Sequence, residues 1–537
     1  MDCRALSFRQ LPHQPKLFLD FVDNFAAVKA FYAHPPTMKA VREVARSVPY
    51  PEQRRKQVSA ILRRQNQSLG ASPATLAHLE RLERGAVAVM SGQQVGLFSG
   101  PAYSVYKALT AVEIAAELTS EGIDAVPIFW MATEDHDLDE VRYSNFFSDG
   151  QLRRFELPVP AEGGKPVGKI VLGDAIAEFA REAAGFLDKA GDAALAKDLT
   201  ECYRPEETYG SAFGKLFARL FAEQGLILVD PLDQGLHQVA TPVFRRVIER
   251  RDAIVAELLE RGKDLDRAGY EAQVKVTAKS SLLFFLNGAG RETISVADGT
   301  FRTDTAHWTR PEVEALIEAE PHKFSPNALL RPVVQDFLFP TAAYIGGPAE
   351  ISYFAQAEVL YRHVLERMPV LLPRAGFTLV DPKAAKLLQK YQLNVEDVWQ
   401  GSQVVRKCME AHSVPRGLSE SFERGQKLLD EMMQDLGKQI EKLDPTLVGA
   451  VENAKIKISF QIENLRLKAG RALDERSHVI SEHERYLESL LHPNKALQSR
   501  ELSLLPLLAR WGPEGMRELQ QHCSGAKLGH HFIMRIP

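Results

Sequence analysis

Val87 to Lys107 reads V-A-V-M-S-G-Q-Q-V-G-L-F-S-G-P-A-Y-S-V-Y-K, and Val126 to Glu140 reads V-P-I-F-W-M-A-T-E-D-H-D-L-D-E. Each stretch begins with an apolar run that is typical of a buried strand and then changes to small, polar or ionisable residues. Tyr103 to Leu118, between the two runs, has the length and composition of a helix. The order strand, glycine loop, helix, strand predicts a βαβ unit, and open α/β sheets bind ligands at the carboxyl ends of such strands.

The composition is that of a large globular protein. The chain has 537 residues, 45% hydrophobic and 25% charged, with a formal net charge of −4. This balance gives no basic excess for nucleic acid or for an anionic membrane. No apolar stretch has the character of a signal peptide or of a membrane span. The scattered cysteines show no disulfide or C-x-x-C spacing, so a cytoplasmic protein with reduced thiols is expected.

The pattern along the chain predicts an α/β core that is interrupted twice. Short apolar runs separated by turn residues indicate the two β-rich insertions, at Ser148 to Lys169 and Val274 to Arg302, and a helical stretch is expected from Asp174 to Ala222. The predicted segments, in chain order, are N-terminal helices (1–84), first core part (85–147), β-rich insertion (148–200), second core part (201–264), second β-rich insertion (265–330), third core part (331–412), helical hairpin (413–492) and a C-terminal segment packed on the core (493–537).

The helical hairpin is predicted from apolar residues at three- and four-residue steps on both sides of Asp444-Pro445. Such spacing is typical of a coiled coil, and the proline interrupts the helix. Two arrangements are open. The hairpin packs wholly within one subunit, or it also pairs with a second copy of the chain, and we favour the homodimer.

The glycine loop of the first stretch is a candidate binding site. Glycines allow a close backbone approach, and amides at the start of a helix attract an anion. The loop matches neither G-x-G-x-x-G nor the G-x-x-x-x-G-K-[S/T] phosphate loop. The alternative is a tight structural turn. The candidate substrate-binding residues here are Gln93, Gln94, Ser99, Gly100, Tyr103 and Lys107.

The acidic motif of the second stretch is the stronger signal for chemistry. Clustered acids at a strand end repel one another, and a histidine among them suits proton transfer near neutral pH. We assign Asp135, His136 and Asp137 as candidate catalytic residues, with Trp130 and Glu134 as substrate-binding residues. The alternatives are a divalent metal held by the histidine and two acids, or an acidic helix N-terminus. We assign no metal ligand.

A third motif, F-P-T-A-A-Y-I-G-G-P-A-E-I-S-Y-F-A-Q, runs from Phe339 to Gln356. A second glycine turn enters a helix there, and the acid in its first turn either caps the helix or binds a substrate amine. The candidate substrate-binding residues in this motif are Tyr344, Gly346, Gly347 and Glu350.

Together, S-G-Q-Q-x-G-L-x-x-G-P-x-Y-x-x-x-K, P-x-F-W-x-x-x-E-D-H-D-x-D-E and P-T-x-A-Y-x-G-G-P-x-E-I-x-Y-x-A-Q resemble the cysteine-adding family of bacillithiol biosynthesis, the BshC family. The resemblance spans nearly the full chain. It implies a Rossmann-like core related to class I nucleotidyltransferases, connecting-peptide insertions, and an α-helical coiled coil that supports a homodimer. In such relatives a histidine-rich nucleotide motif stands where this chain has Ser99 to Tyr103 without a histidine.

The resemblance also implies an activity. The protein would be a ligase that adds L-cysteine to glucosaminyl-malate by amide bond formation, the last step to bacillithiol. Amide formation from a carboxylate is uphill, so ATP or another nucleotide is expected. Candidate nucleotide-binding residues are Arg374, Gly376, Lys383 and Arg500, and Lys107 or the Gly100 amide could receive a malate carboxylate. The alternatives are a metal-dependent hydrolase of a sugar conjugate and a metabolite-binding scaffold that acts through its coiled coil.

Overall fold

The computed structural model describes residues 3–159, 164–287, 290–412 and 416–537. Its strands are β1 (Cys3–Ser7), β2 (Val87–Gln93), β3 (Ala125–Met131), β4 (Tyr143–Ser148), β5 (Gln151–Glu156), β6 (Ile227–Val229), β7 (Ser280–Asn287), β8 (Gly290–Ala297), β9 (Thr300–Arg302), β10 (His307–Thr309), β11 (Phe324–Pro326), β12 (Thr341–Gly346), β13 (Val370–Pro373), β14 (Gly376–Val380) and β15 (His530–Arg535).

The α-helices of the first half are α1 (Lys16–Asp23), α2 (Phe25–Val28), α3 (Met38–Ala45), α4 (Glu52–Ser68), α5 (Pro73–Arg84), α6 (Tyr103–Ser120), α7 (Ala175–Ala190), α8 (Ala193–Cys202), α9 (Tyr209–Leu220), α10 (Gln234–Glu249) and α11 (Arg251–Arg267). Those of the second half are α12 (Arg310–Ala319), α13 (Arg331–Leu338), α14 (Pro348–Val364), α15 (Pro382–Lys390), α16 (Val395–Trp399), α17 (Ser402–His412), α18 (Arg416–Leu443), α19 (Val448–Ser477), α20 (Val479–Leu491), α21 (Gln498–Glu501), α22 (Leu505–Trp511) and α23 (Glu514–Gln521).

A parallel five-stranded sheet forms the centre of the core, in the order β13-β12-β2-β3-β6. Numbered along the chain, these strands stand in the order 5-4-1-2-3, which is the Rossmann arrangement. The predicted βαβ unit is β2, α6 and β3. Strands β3 and β12 are buried along their whole length, and strands covered on both faces appear in sequence as continuous apolar runs. The predicted Rossmann-like core is confirmed.

The strand order reverses between the parallel neighbours β2 and β12, and this switch point is where doubly wound sheets bind ligands. At its edge Gly92 lies opposite Trp130 in the register of β2 and β3. A Cβ atom at Gly92 would lie 2.7 Å from the carbonyl oxygen of Trp130. Glycine is therefore required at this position, where the two strands end side by side.

The two predicted insertions differ in structure. Segment 265–330 contains an antiparallel five-stranded sheet in the order β10-β9-β8-β7-β11. In 148–200, by contrast, the strands β4 and β5 form a single hairpin that begins at Tyr143, and α7 and α8 occupy most of the remaining residues. The label β-rich for 148–200 is therefore wrong from Ala175 to Cys202, whereas the helical stretch expected from Asp174 is confirmed there, because two amphipathic helices each bury one face.

The two ends of the described chain meet in a third sheet, in the order β1-β15-β14. Strand β15 pairs antiparallel with β1 and parallel with β14. The C-terminal segment thus packs on the core. The N-terminal segment, predicted as helices, contains β1 as well.

Helices α18 and α19 form the predicted coiled-coil hairpin, with the break at Asp444 to Leu447. Ser413, where the prediction begins the hairpin, lies outside the described residues. The internal core of the hairpin is small and contains Leu429, Met433 and Val451. None of the helices in the described ranges is long and apolar enough to cross a membrane.

Candidate active site

A cavity of about 580 Å³ opens at the carboxyl ends of β2, β3 and β12. Small-molecule sites typically measure about 300–1,000 Å³. All three sequence motifs contribute to its wall, together with the antiparallel sheet, α13 and α21. The predicted site residues that line it are Gln93, Gln94, Tyr103, Lys107, Trp130, Glu134, Asp135, His136, Gly347, Glu350, Arg374 and Arg500. Those that do not line it are Ser99, Gly100, Asp137, Tyr344, Gly346, Gly376 and Lys383.

The glycine loop is folded against the protein rather than open to a ligand. A Cβ atom at Gly96 would lie 2.7 Å from the Cα atom of Gly100. The Gly100 N–H donates to the carbonyl of Leu97 at 2.9 Å, and the Ser99 N–H donates to the hydroxyl of Tyr203 at 3.4 Å. These amides are satisfied inside the protein. Neither Ser99 nor Gly100 offers the free amide that we predicted for an anion.

Lys107 on α6 forms a buried ion pair with Glu350 on α14. Its ammonium group also donates to the carbonyl of Gly92 at 2.9 Å and to Oε1 of Gln93 at 2.7 Å. These contacts use all three ammonium hydrogens. Burial lowers the pKa of Lys107, and the charge of Glu350 opposes this effect. Lys107 therefore positions Gln93 and the end of β2, and it has no free hydrogen for the malate carboxylate that we predicted.

Both oxygens of the Glu350 carboxylate are likewise used in contacts within the protein. One oxygen accepts a hydrogen bond from the Tyr344 hydroxyl at 2.7 Å, and the other accepts the N–H of Gly347 at 2.8 Å in addition to Lys107. Burial raises the pKa of Glu350, but the charge and hydrogen bond of Lys107 outweigh it and hold the pKa below its ordinary value. Of the two predicted roles, the geometry favours the cap of α14.

Asp135 is the most strongly stabilised anion of the acidic motif. It accepts the backbone N–H of His136 at 2.7 Å and the Gln94 side-chain amide at 2.7 Å, and Arg291 lies 3.5 Å away. Burial raises the pKa of Asp135, but the hydrogen bonds from His136 and the charge of Arg291 hold it well below its ordinary value. Asp135 therefore stays ionised and is a weak base. The side chain of Asp137 is exposed and lies outside the cavity.

Glu134 forms a second buried pair at the floor of the cavity. Its Oε1 lies 3.1 Å from Nε2 of His237 on α10, and Nδ1 of that ring lies 3.3 Å from the carbonyl of Pro321. Burial lowers the pKa of His237, but the hydrogen bond and charge of Glu134 outweigh it and raise the pKa. The ring is thus a buried imidazolium whose two N–H groups are both used.

Glu140, at the end of the acidic motif, also lines the cavity. Among the described residues, no cation lies within 4.0 Å of its carboxylate. Glu140 is exposed to solvent at the cavity wall; its partial desolvation raises the pKa, and so do the negative charges of Asp137 and Asp135, while the Gln94 amide lowers it. Glu140 is therefore the carboxylate of the cavity that lacks a charge partner in the described structure.

Another part of the cavity wall carries positive charge. Arg374 is buried, its guanidinium carbon lies 5.6 Å from the centre of the Tyr103 ring, and Arg500 lies at the rim of the same cavity. No carboxylate oxygen of the described chain lies within 4.0 Å of either guanidinium. Burial and the charge of Arg500 lower the pKa of Arg374 to about 10. Two uncompensated cations side by side favour an anionic ligand.

The other two predicted nucleotide-binding residues lie elsewhere. Gly376 pairs with His531 between β14 and β15. The amine of Lys383 lies 4.2 Å from the ring centre of Tyr486, in a separate cleft at the base of the hairpin. The four residues thus do not form one nucleotide site.

Several cavity residues were not predicted. Their signals differ: Glu140 stands in the acidic motif and Tyr353 in the third motif, whereas the others come from distant segments with no local pattern. These residues are Glu140, Arg291, Arg331 and Tyr353, with His237 behind Glu134. Within the described ranges, no group of three or more His, Cys, Asp or Glu side chains is placed to hold a metal ion.

The fold and the site define a Rossmann-like protein with a small-molecule cavity at the switch point of its sheet and a helical coiled-coil domain. A family model described as "Bacillithiol biosynthesis BshC, N-terminal Rossmann-like domain" matches residues 1–375, and its companion, the "C-terminal coiled-coil domain", matches residues 377–535. The chain belongs to the BshC family of bacillithiol biosynthesis.

Similar proteins cover nearly the whole chain, and each is described as "Putative cysteine ligase BshC". The relative from Koribacter versatilis is 42% identical over 518 residues, which are 95% of this chain and 95% of the relative. The relative from Solibacter usitatus is 36% identical, with 95% of this chain and 96% of the relative covered. The relative from Salinibacter ruber is 31% identical, with 97% and 96% covered.

Proposed function

We propose that this protein is a ligase that joins the carboxyl group of L-cysteine to the amine of glucosaminyl-malate through an amide bond. One observation carries the proposal: the cavity is lined by charges of both signs that have no partner within 4.0 Å among the described residues, namely Glu140, Arg374 and Arg500. A sugar conjugate with one amine and two malate carboxylates has complementary charges. The family membership and the description of the relatives as cysteine ligases support the same substrates.

In this proposal the arginines bind the malate. A guanidinium makes charge-assisted, often bidentate hydrogen bonds to a carboxylate, and burial of Arg374 strengthens such a bond. The acidic wall then faces the sugar amine. Held in this way, the amine lies ready to attack the cysteine carboxyl carbon, so the site contributes by orientation as well as by proton transfer. Lys107 and Glu350 keep the strand ends in place.

The cysteine carboxylate needs activation, for which we propose a nucleoside triphosphate as a further substrate. The amides of Ser99 and Gly100 are bonded within the protein, and Gly376 and Lys383 lie outside the cavity. The arrangement therefore does not match the nucleotide site that we predicted. The cationic wall remains available to an anion of either kind, malate or phosphate.

The test is direct. Purified protein is incubated with cysteine, glucosaminyl-malate and ATP, and the products are measured by mass spectrometry. We expect bacillithiol, with AMP if the cysteine is adenylated and ADP if an acyl phosphate forms. Glucosyl-malate, which has a hydroxyl in place of the amine, is the control and should yield no amide. Absence of bacillithiol with every nucleoside triphosphate would contradict the proposal.

We further propose a homodimer through the hairpin. Leu428, Met432 and Leu436 follow one another at four-residue steps on α18, and their side chains are 65%, 51% and 44% exposed. Leu428 and Met432 lie about 100° around the helix from the internal core residues Leu429 and Met433, whereas Leu436 lies close to the face of that core. Exposed apolar side chains beside the internal core of the hairpin are suited to pair with a second copy of the chain.

A further inference from the structure

Four carboxylates line the cavity, and they differ in what they contact. The four are Glu134, Asp135, Glu140 and Glu350. A carboxylate that already faces a cation or several N–H donors is stabilised as an anion and takes up a proton poorly. The carboxylate that receives the proton of an attacking amine should therefore lack such partners and lie where the substrate binds.

Three of the four fail this requirement. Glu134 and Glu350 are paired with the buried cations His237 and Lys107, respectively. Asp135 accepts two backbone N–H groups and the Gln94 amide. Among the described residues, Glu140 alone of the four has no cation within 4.0 Å.

The surroundings of Glu140 come from several elements. The groups that face it are the amide of Gln94, the phenols of Tyr103 and Tyr143, and the carboxylates of Asp135 and Asp137. Gln94 donates one amide hydrogen to Asp135 at 2.7 Å, and its amide also lowers the pKa of Glu140. Gln94 is thus placed to act on both acids.

Tyr103 relates Glu140 to the positive wall. The charges of Glu140, Arg374 and Arg500 all act on the Tyr103 phenol, and the guanidinium carbon of Arg374 lies 5.6 Å from the centre of its ring. A ligand beside this ring therefore lies near a carboxylate and near guanidinium groups that have no charge partner among the described residues. These charges complement an amine joined through a sugar to two carboxylates.

We infer that Glu140 binds the substrate amine and accepts its proton as the amide bond forms, an inference that rests on the function proposed above. The neutral amine nitrogen bonds to the carbonyl carbon of cysteine that a nucleoside triphosphate has activated. One N–H proton passes to the Glu140 carboxylate. The phosphate or nucleotide leaving group departs from the carbon with the bonding electron pair, so atoms and charges balance.

The experiment compares two ligands on three proteins. Calorimetry measures the binding of glucosaminyl-malate and of glucosyl-malate to the unaltered protein, to Glu140→Gln and to Asp139→Asn. The control removes the same charge from the neighbouring residue, whose side chain is 82% exposed and contacts Arg142 outside the cavity. We expect the unaltered protein and Asp139→Asn to prefer the amine ligand by about tenfold, and Glu140→Gln to lose this preference.

Each outcome has a separate meaning. If Glu140→Gln keeps the preference, or if Asp139→Asn loses it equally, Glu140 does not bind the amine and the inference is wrong. If the unaltered protein binds neither ligand, the proposed substrate class is wrong and the role of Glu140 is wrong with it. Equal melting temperatures of the three proteins show that the comparison concerns folded chains.

Turnover gives the second measurement. Glu140→Gln should lower kcat for bacillithiol formation by about a hundredfold, with little change in the KM for cysteine. The unaltered protein should lose activity as the pH falls and Glu140 becomes protonated, and the variant should lack this decline on the acidic side of the profile of kcat against pH. The same decline in Glu140→Gln would assign the proton transfer to another group.

Discussion

Lys107 and Glu350 are joined by a buried ion pair that spans the switch point of the central sheet. The lysine belongs to the helix after β2 and the glutamate to the helix after β12, so the pair connects the first sequence motif to the third. It lies at the wall of the cavity, but all the hydrogens of the ammonium group are used within the protein. The pair therefore holds the two halves of the site in register, and the residues around it are left to contact substrate.

Loss of this lysine should be costly for folding. Lys107→Met leaves Glu350 buried without its cation, so we expect the free energy of unfolding to fall by about 3–5 kcal/mol. Chemical denaturation measures the change. Lys56→Met is the matched control, because it breaks the exposed pair with Glu52 and should cost about 1 kcal/mol or less. Equal losses in the two variants would contradict a structural role for Lys107.

His237 should make stability depend on pH. Burial lowers its pKa, but Glu134 raises it above the ordinary value in the folded protein. The stabilisation is therefore fully present below about pH 6.5 and is lost as the pH rises through the folded-state pKa. Denaturation at about pH 6 and about pH 9 should show a larger loss for the unaltered protein than for His237→Gln. The same loss in both proteins would show that His237 is not charged when folded.

Gly96 should tolerate no side chain. Gly96→Ala places a Cβ atom 2.7 Å from the backbone of Gly100, so the loop must open, and we expect a loss of about 1–3 kcal/mol in the free energy of unfolding. Gly262→Ala is the control, because this helical glycine has no atom within 4 Å of the added carbon. It should stabilise the protein by about 0.5–1 kcal/mol. A neutral Gly96→Ala would contradict the closed loop.

Arg374 should be needed for the anionic part of the substrate. We expect Arg374→Gln to weaken glucosaminyl-malate binding by about tenfold or more, because a buried charge-assisted hydrogen bond is lost. Arg84→Gln, which removes an exposed arginine paired with Glu80, should have no effect. Binding of an ATP analogue, measured on the same variants, distinguishes the two kinds of anion. If only the analogue binds more weakly, Arg374 contacts phosphate and the malate assignment is wrong.

The exposed stripe on α18 should hold two chains together. Replacing Leu428, Met432 and Leu436 by serine should convert a dimer into a monomer, as measured by light scattering. Leu429→Ala is the comparison, because it removes packing inside the hairpin and should lower the helix melting temperature without changing the mass. A triple variant that keeps the mass of the unaltered protein would exclude this face as the interface.

Much of the fold follows from local patterns. The apolar runs at Val87–Met90 and Val126–Met131 lie within β2 and β3, because a strand covered on both faces needs apolar residues at every position. The hairpin follows from spacing and from Pro445, because proline disfavours the continuation of a helix. The label β-rich for 148–200 describes only the hairpin of β4 and β5, and the helical stretch expected from Asp174 contains α7 and α8. Glycine and proline mark a turn in either case, so turn residues alone do not separate strands from helices.

The sequence by itself determined which residues stand at the strand ends, and therefore which residue types surround the cavity. Only the tertiary structure decided what each of them can do. Asp135 and Glu140 belong to one motif, yet Asp135 lies against Arg291 and two backbone N–H groups while Glu140 has no cation beside it in the described structure. The affinity of a carboxylate for a proton depends on burial and on nearby charges. The cation beside Asp135, Arg291, comes from a distant segment of the chain, so only folding brings the two together and leaves Glu140 without such a partner in the described structure.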